Sequence, residues 1–138
     1  MPKIIATAEV TNKDENYTST VRVNQHQLLV DEPLEKGGKD AGPGPGDYLC
    51  AALASCKAIT LRMYVQRKKW DIQNITVKVS LERLDGVGIT SHAFYAQIIV
   101  DDSVPEDQKE RLIQIAKACP ISKLLSKQNE IVTTLAQR

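Results

Sequence analysis

Aromatic side chains are scarce in this chain, making up 4% of its 138 residues, with one Phe and one Trp. We therefore expect a core built from Val, Ile, Leu and Ala. A surplus of charge of either sign is also missing, because 18 basic and 17 acidic residues leave a formal net charge of +1. Without a field of one sign, the composition favours neither a nucleic-acid partner nor an anionic membrane surface.

Long hydrophobic runs are missing as well. No segment approaches the ~18 consecutive apolar residues of a membrane helix, and the N-terminus lacks the charged-then-apolar order of a signal peptide. We therefore expect a cytoplasmic protein with no membrane partner. A length of 138 residues, 42% of them apolar and 25% charged, predicts one soluble globular domain covering residues 1–138.

Cysteine and histidine pairs at metal-binding spacing are absent. Zinc sites usually show closely spaced Cys or His pairs, and Cys50, Cys56 and Cys119 form none. We expect His26, in a hairpin turn, and His92, at a strand start, to be ordinary polar residues. Three cysteines are an odd number, which disfavours a structural disulfide scaffold in an intracellular chain.

The stretch that organises the chain is residues 45–64, PGDYLCAALASCKAITLRMY. Apolar residues recur there at i, i+4, i+7 and i+11, which predicts one face of a helix running from about residue 47 to 68. The opposite side carries mostly small residues, so we expect the helix to be buried nearly all round. The predicted stripe consists of Leu49, Leu53, Cys56, Thr60 and Met63 or Tyr64.

Alternating apolar and polar residues predict strands on both sides of this helix. A second amphipathic helix is predicted to end at Cys119, after an S-x-x-E capping box that begins at Ser103. The order βββ-α-ββ-α-β, with helices segregated from antiparallel hairpins, predicts an α+β fold. The predicted strands are residues 3–10, 17–23, 27–30, 72–84, 91–100 and 131–135, with a turn at 85–88.

Residues 31–46, DEPLEKGGKDAGPGPG, hold five of the seven glycines and three of the six prolines. Such a composition excludes a helix interior or a central strand. It predicts a surface loop that positions the start of the long helix, with Gly46 or Asp47 as its cap. Phosphate binding is not favoured, because the loop lacks both G-x-G-x-x-G and a G-K-[ST] ending.

Two thiols, Cys56 and Cys119, fall on apolar helical faces. A buried free cysteine usually behaves as a small hydrophobe, so either thiol alone indicates no more than packing. Pro120 can open a further helical turn, predicted through Lys123 to Leu125. If the N-terminal amides of that turn point at Cys119, they would favour a thiolate there. Cys50 lies about 240° around the long helix from Cys56, and we expect it in the core.

The loop running into PGDYLCAALASC, together with the later AKACPISKLL, resembles the OsmC/Ohr family of peroxide-reducing proteins. The likeness is greatest to a less characterised branch with T-L-R-M-Y after the first cysteine, here residues 60–64. It implies an OsmC-like intertwined homodimer and a peroxidase that reduces organic hydroperoxides in oxidative-stress defence, with no metal or flavin cofactor. Cys56 matches the peroxidatic position and Cys119 the resolving position, and an external dithiol would reduce their disulfide.

The resemblance also implies two supporting residues, a glutamate before the central helix and an arginine from the N-terminal region. Asp47 falls nearest the glutamate, either as a catalytic residue that holds the arginine or as a helix cap. No arginine falls on the family position, and Arg22 and Arg62 are the candidates. The alternative function is a non-enzymatic OsmC-like module that binds a small hydrophobic or electrophilic ligand at the dimer interface. A purely structural module is a third hypothesis.

Overall fold

The computed structural model describes residues 2–86 and 91–137. They form two compact units, one ending at Leu49 and the other beginning at Cys50. The predicted α+β class is confirmed, while the single domain stays a prediction. The elements are β1 (Glu9–Asn12), β2 (Ser19–Val23), β3 (His26–Val30), a 3-10 turn (Leu34–Lys36), α1 (Pro45–Lys68), β4 (Thr76–Arg83), β5 (His92–Ile99), α2 (Glu106–Lys117) and α3 (Pro120–Leu125).

The first unit contains an antiparallel sheet of order β1-β2-β3. Its β2–β3 hairpin is confirmed, with Val23 paired to His26 across a two-residue connection. Asn24 adopts φ 55° there, a left-handed conformation that asparagine tolerates better than most residues. His26 therefore belongs to β3 and not to the turn, a shift of one residue from the prediction.

The loop between β3 and α1 is fixed by the buried carboxylate of Asp31, which is 2% exposed. Thr18 Oγ1 donates a 2.7 Å hydrogen bond to it. Gly38 is required beside it, since a Cβ at that position would lie 1.9 Å from the carbonyl oxygen of Glu32. The carboxylate also accepts backbone N–H groups from Tyr17, Glu32, Lys39 and Ala41.

The second unit contains the antiparallel β4–β5 hairpin, in which Val77 pairs with Ile98. The second half of the predicted turn at 85–88, residues 87 and 88, lies outside the described residues. Apolar residues of α1, α2 and the adjoining segments form one core, so aliphatic side chains dominate as expected. Its buried members are Leu61, Val65, Ile72, Val104, Leu112 and Ala116.

Three predictions about chain segments are wrong. The first strand begins at Glu9, not residue 3, and Ile4 and Ile5 are each 80% exposed. Residues 131–135 form no strand, because a strand needs a hydrogen-bonded neighbour and none lies beside them in the described chain. The cap of α2 is Pro105, which makes no side-chain capping bond, so Ser103 does not form a capping box.

The buried face of α1 is rotated from the predicted stripe. Leu53 and Tyr64 are buried as expected, but Leu49 is 46% exposed and Met63 65% exposed. The buried face also includes Lys57, a residue that an apolar pattern does not select. By length and composition alone α1 could also span a membrane, a criterion that the core helices of soluble proteins meet as well.

Candidate thiol site

Cys56 lies in α1, whose regular hydrogen bonding from Pro45 to Lys68 fixes its backbone. Its side chain is a free thiol and is half-buried. Cys50 is also half-buried, so its expected place in the core is not observed.

Cys119 is fully buried and is the N-cap of α3, one residue beyond Ala118, the C-cap of α2. The predicted helical turn after Pro120 is confirmed, and it spans Pro120–Leu125. The N–H of Ser122 donates to Cys119 Sγ at 3.4 Å. The sulfur of Cys119 is therefore the side-chain cap of α3.

Lys57, the residue after Cys56, was not predicted as part of the site. It is 7% exposed, and its Nζ donates a 2.8 Å hydrogen bond to the carbonyl oxygen of Ala116. The same oxygen accepts the N–H of Cys119 at 3.4 Å. The sequence held one clue, because Lys57 stands four residues from both Leu53 and Leu61 on an otherwise apolar face.

A cavity of about 270 Å³ adjoins this lysine. It is lined by apolar residues together with Lys57 and two serines, one of which is Ser122, whose backbone N–H donates to Cys119 Sγ. A small polar molecule could therefore be received beside the Cys119 turn. The lining residues are Leu53, Lys57, Phe94, Ala96, Ser122, Leu125 and Ser126.

Asp47 acts as a local cap in the first turn of α1. Its Oδ2 accepts the N–H of Gly44 at 2.8 Å, which satisfies a backbone donor ahead of the helix. The described residues provide no cation within ion-pair distance of this carboxylate. Because α1 begins at Pro45, Gly46 and Asp47 both lie inside the helix, and neither is the N-cap residue that the sequence predicted. A catalytic role for Asp47 stays a prediction.

The two candidate arginines have different environments. Arg62 donates through Nη1 to the carbonyl of Ile72 at 2.6 Å and through Nη2 to that of Gln73 at 2.5 Å. Its guanidinium therefore holds the segment after α1. Arg22 lies exposed on β2, opposite Gln27 of β3. A role for either arginine at a thiol stays a prediction.

Three cations surround the buried ring of Tyr64. Arg111 Nε donates to its hydroxyl at 3.0 Å, and Arg67 and Lys68 lie 5.3 and 5.8 Å from the ring centroid. Trp70 packs edge-on against the ring at 5.4 Å. The Arg111 hydrogen bond lowers the pKa of Tyr64 below its usual value, against the opposing effect of burial, and the nearby positive charges add to the lowering.

The first unit contains a larger, apolar cavity of about 870 Å³ between the β1-β2-β3 sheet and the first turn of α1. Among the described residues that line it there is no cysteine. Its lining residues are Ala8, Val10, Val21, Val23, His26, Gln27, Leu28, Val30, Pro45 and Tyr48.

Within residues 2–86 and 91–137, no group of three or more His, Cys, Asp or Glu side chains could hold a metal ion. The chain is thus an α+β protein, and its candidate reactive groups are the thiols of its cysteines. The sequence profile of the OsmC-like protein family matches residues 37–135. The chain belongs to the OsmC-like protein family.

Solved structures share this fold at low sequence identity. An OsmC-like protein from Mycoplasma pneumoniae has a TM-score of 0.72 and 20% identity, with 91% of this chain and 89% of that chain covered. An organic hydroperoxide resistance protein OsmC from Legionella pneumophila has a TM-score of 0.61 and 17% identity, with 91% of each chain covered.

A third structure is an organic hydroperoxide resistance protein from Elizabethkingia anophelis. Its TM-score is 0.64 at 18% identity, and 89% of each chain is covered. At such identities the likeness establishes the fold alone. No curated protein matches the chain in sequence.

Proposed function

We propose that this protein is a thiol-dependent peroxidase that reduces organic hydroperoxides and serves oxidative-stress defence. The observation that carries the proposal is the setting of Cys119, a buried helix-capping thiol whose backbone N–H shares the Ala116 carbonyl with the residue next to Cys56. Family membership supports it, as does the likeness to the Legionella and Elizabethkingia proteins, which are named organic hydroperoxide resistance proteins.

The proposed chemistry has two steps. The thiolate of Cys56 attacks the terminal peroxide oxygen, the O–O bond breaks, and the alcohol leaves with a proton while Cys56 becomes a sulfenic acid. The thiol of Cys119 then attacks the Cys56 sulfur, forming an S–S bond and releasing water. An external dithiol returns both cysteines to thiols, and no metal or other cofactor takes part.

The test is a titration of free thiols under denaturing conditions, before and after one equivalent of cumene hydroperoxide, followed by peptide mapping. We expect two of the three thiols to disappear, with the Cys56 and Cys119 peptides joined by a disulfide. Three intact thiols would contradict the proposal.

A second candidate function is a non-enzymatic module that binds a small hydrophobic or electrophilic ligand at a dimer interface. The apolar cavity of about 870 Å³ favours it, because its size lies in the range of small-molecule sites. Retention of all three thiols, together with uptake of a hydrophobic fluorophore, would favour this function over the peroxidase.

The proposed assembly is a homodimer in the cytoplasm. Leu49, Ile59 and Met63 leave a row of large apolar side chains exposed on α1, the helix that was expected to be covered. Such a row on a helix is typical of a protein interface. A second copy of this chain is the partner that we propose for it.

A further inference from the structure

A buried lysine connects the helix that carries Cys56 to the turn that carries Cys119. Lys57 Nζ and the N–H of Cys119 both donate to the carbonyl oxygen of Ala116, at 2.8 and 3.4 Å. A carbonyl oxygen has two lone pairs, so it can accept both donors. The position of Cys119 is therefore tied to that of α1 through one oxygen atom.

Burial of Lys57 has a free-energy cost, since lysine is almost never fully buried unless paired. In the described chain no carboxylate forms an ion pair with it. Its partner is instead the C-terminal end of α2, where Ala116 is the second-to-last residue. The last carbonyls of a helix lack intrahelical donors and carry partial negative charge, so an ammonium is favourable there.

The geometry assigns Lys57 a function that rests on the proposed peroxidase chemistry: we propose that it is a positioning residue for the condensation of Cys119 with oxidised Cys56. In that step the S–S bond forms, the S–O bond of the sulfenic acid breaks, and the proton of the Cys119 thiol leaves with the oxygen as water. Lys57 takes no part in bond making. It fixes the end of α2 relative to α1, and thereby the approach of the second sulfur.

We do not expect Lys57 to act on the first step, the oxidation of Cys56 by the peroxide. Its hydrogen bond is to Ala116, next to the turn that carries Cys119. Misplacement of a reacting group by about 1 Å can slow a reaction about 100-fold. Loss of Lys57 should therefore slow disulfide formation selectively. A lysine that merely stabilised the fold would affect both steps or neither.

The matched control is Lys117, which ends α2 and is exposed. Lys117→Met removes one positive charge from the same helix end without touching the Ala116 hydrogen bond. Lys57→Met removes both the charge and the hydrogen bond while keeping a side chain of similar length. Comparison of the two variants separates positioning from a general effect of charge.

The experiment mixes each protein with one equivalent of cumene hydroperoxide, quenches at set times, and measures the remaining thiols, the disulfide and the dimedone-trapped sulfenic acid. For Lys57→Met we expect oxidation of Cys56 within about twofold of the wild-type rate. Disulfide formation should be slower by about tenfold or more, with trapped sulfenic acid accumulating. Lys117→Met should match the wild type, and Lys57→Arg should restore part of the disulfide rate.

A wild-type disulfide rate in Lys57→Met, or equal slowing of both steps, would overturn the positioning role. Failure of the wild-type protein to lose any thiol would overturn the proposed function itself, and the positioning role with it. If Lys57→Met does not unfold cooperatively, Lys57→Gln takes its place, because it keeps an amide donor one atom shorter. The same selective slowing is expected of it, and its absence overturns the inference.

Discussion

Thr18 Oγ1 lies 2.7 Å from a carboxylate oxygen of Asp31. This hydrogen bond joins the residue before β2 to the residue after β3, and the same carboxylate accepts backbone N–H groups of the glycine-rich loop. The Thr18 hydroxyl lowers the pKa of Asp31 far below its usual value, the backbone donors add to this, and burial opposes it. The loop before α1 is therefore held by an ionised carboxylate.

Asp31→Asn should destabilise the protein, because the amide replaces one acceptor oxygen with a donor facing N–H groups. We expect the Tm at pH 7 to fall by about 5 °C or more. The folded-state pKa of Asp31 is depressed, so its stabilising contribution is complete above the unfolded-state pKa of about 4 and declines as the pH falls below it.

The difference in Tm between wild type and Asp31→Asn should therefore shrink between about pH 4 and pH 2.5. Thermal unfolding followed by circular dichroism measures it. Asp40→Asn is the control, since Asp40 is exposed in the same loop and asparagine tolerates its φ of 54°. A Tm difference that does not change with pH would show that Asp31 is not held as a carboxylate.

Substitution of single cysteines should separate the two chemical steps. Cys56→Ser should abolish peroxide consumption, because a serine hydroxyl is not ionised at neutral pH. Cys119→Ser should still oxidise once and then retain a sulfenic acid that dimedone traps. Cys50→Ser is the control and should match the wild type in a coupled peroxide-consumption assay. Full activity in Cys56→Ser would remove the peroxidase proposal.

Arg62→Met should reduce stability, and its effect on the oxidation of Cys56 tests whether Arg62 also supports the thiol. The guanidinium donates to the carbonyls of Ile72 and Gln73, and loss of these hydrogen bonds should cost roughly 1–3 kcal/mol in the free energy of unfolding. Urea denaturation measures the loss. Arg83→Met is the control, because Arg83 is 76% exposed in a surface ion pair with Asp85. Slower thiol oxidation in Arg62→Met would instead place Arg62 in the thiol site.

Arg111→Met should raise the pKa of Tyr64 towards its usual value of about 10. The cause is the loss of the hydrogen bond and the charge that stabilise the tyrosinate. Absorbance at 295 nm follows the titration, and subtraction of Tyr64→Phe spectra isolates this residue from the other three tyrosines. An unchanged titration would show that Arg111 does not interact with the hydroxyl in solution.

The proposed homodimer should sediment at twice the monomer mass at micromolar concentration. Ile59→Lys places a charge in the exposed apolar row of α1 and should shift the equilibrium towards monomer. Ile113→Lys changes an isoleucine that is 47% exposed on α2, and serves as the matched control. A wild-type monomer at this concentration would overturn the dimer, and dissociation by both substitutions would place the interface elsewhere.

The sequence by itself determined the class of fold, the long helix, both hairpins and the turn after Cys119. Each of these rests on a local signal: a periodicity of side chains, a proline, or a cluster of glycines. The hairpins were found because their strands adjoin in sequence. The prediction of a strand at 131–135 was wrong because a strand needs a hydrogen-bonded neighbour. The pattern of residues within one segment does not show whether such a neighbour exists.

The tertiary structure alone decided which polar groups are buried. Lys57 was not predicted to be buried, yet it lies on the buried face of α1, where Ala116, distant in sequence, offers a carbonyl at the end of α2. Asp31 looked like the start of a surface loop, yet five donors from three segments surround it. Burial of a charge requires partners that only the folded chain brings together.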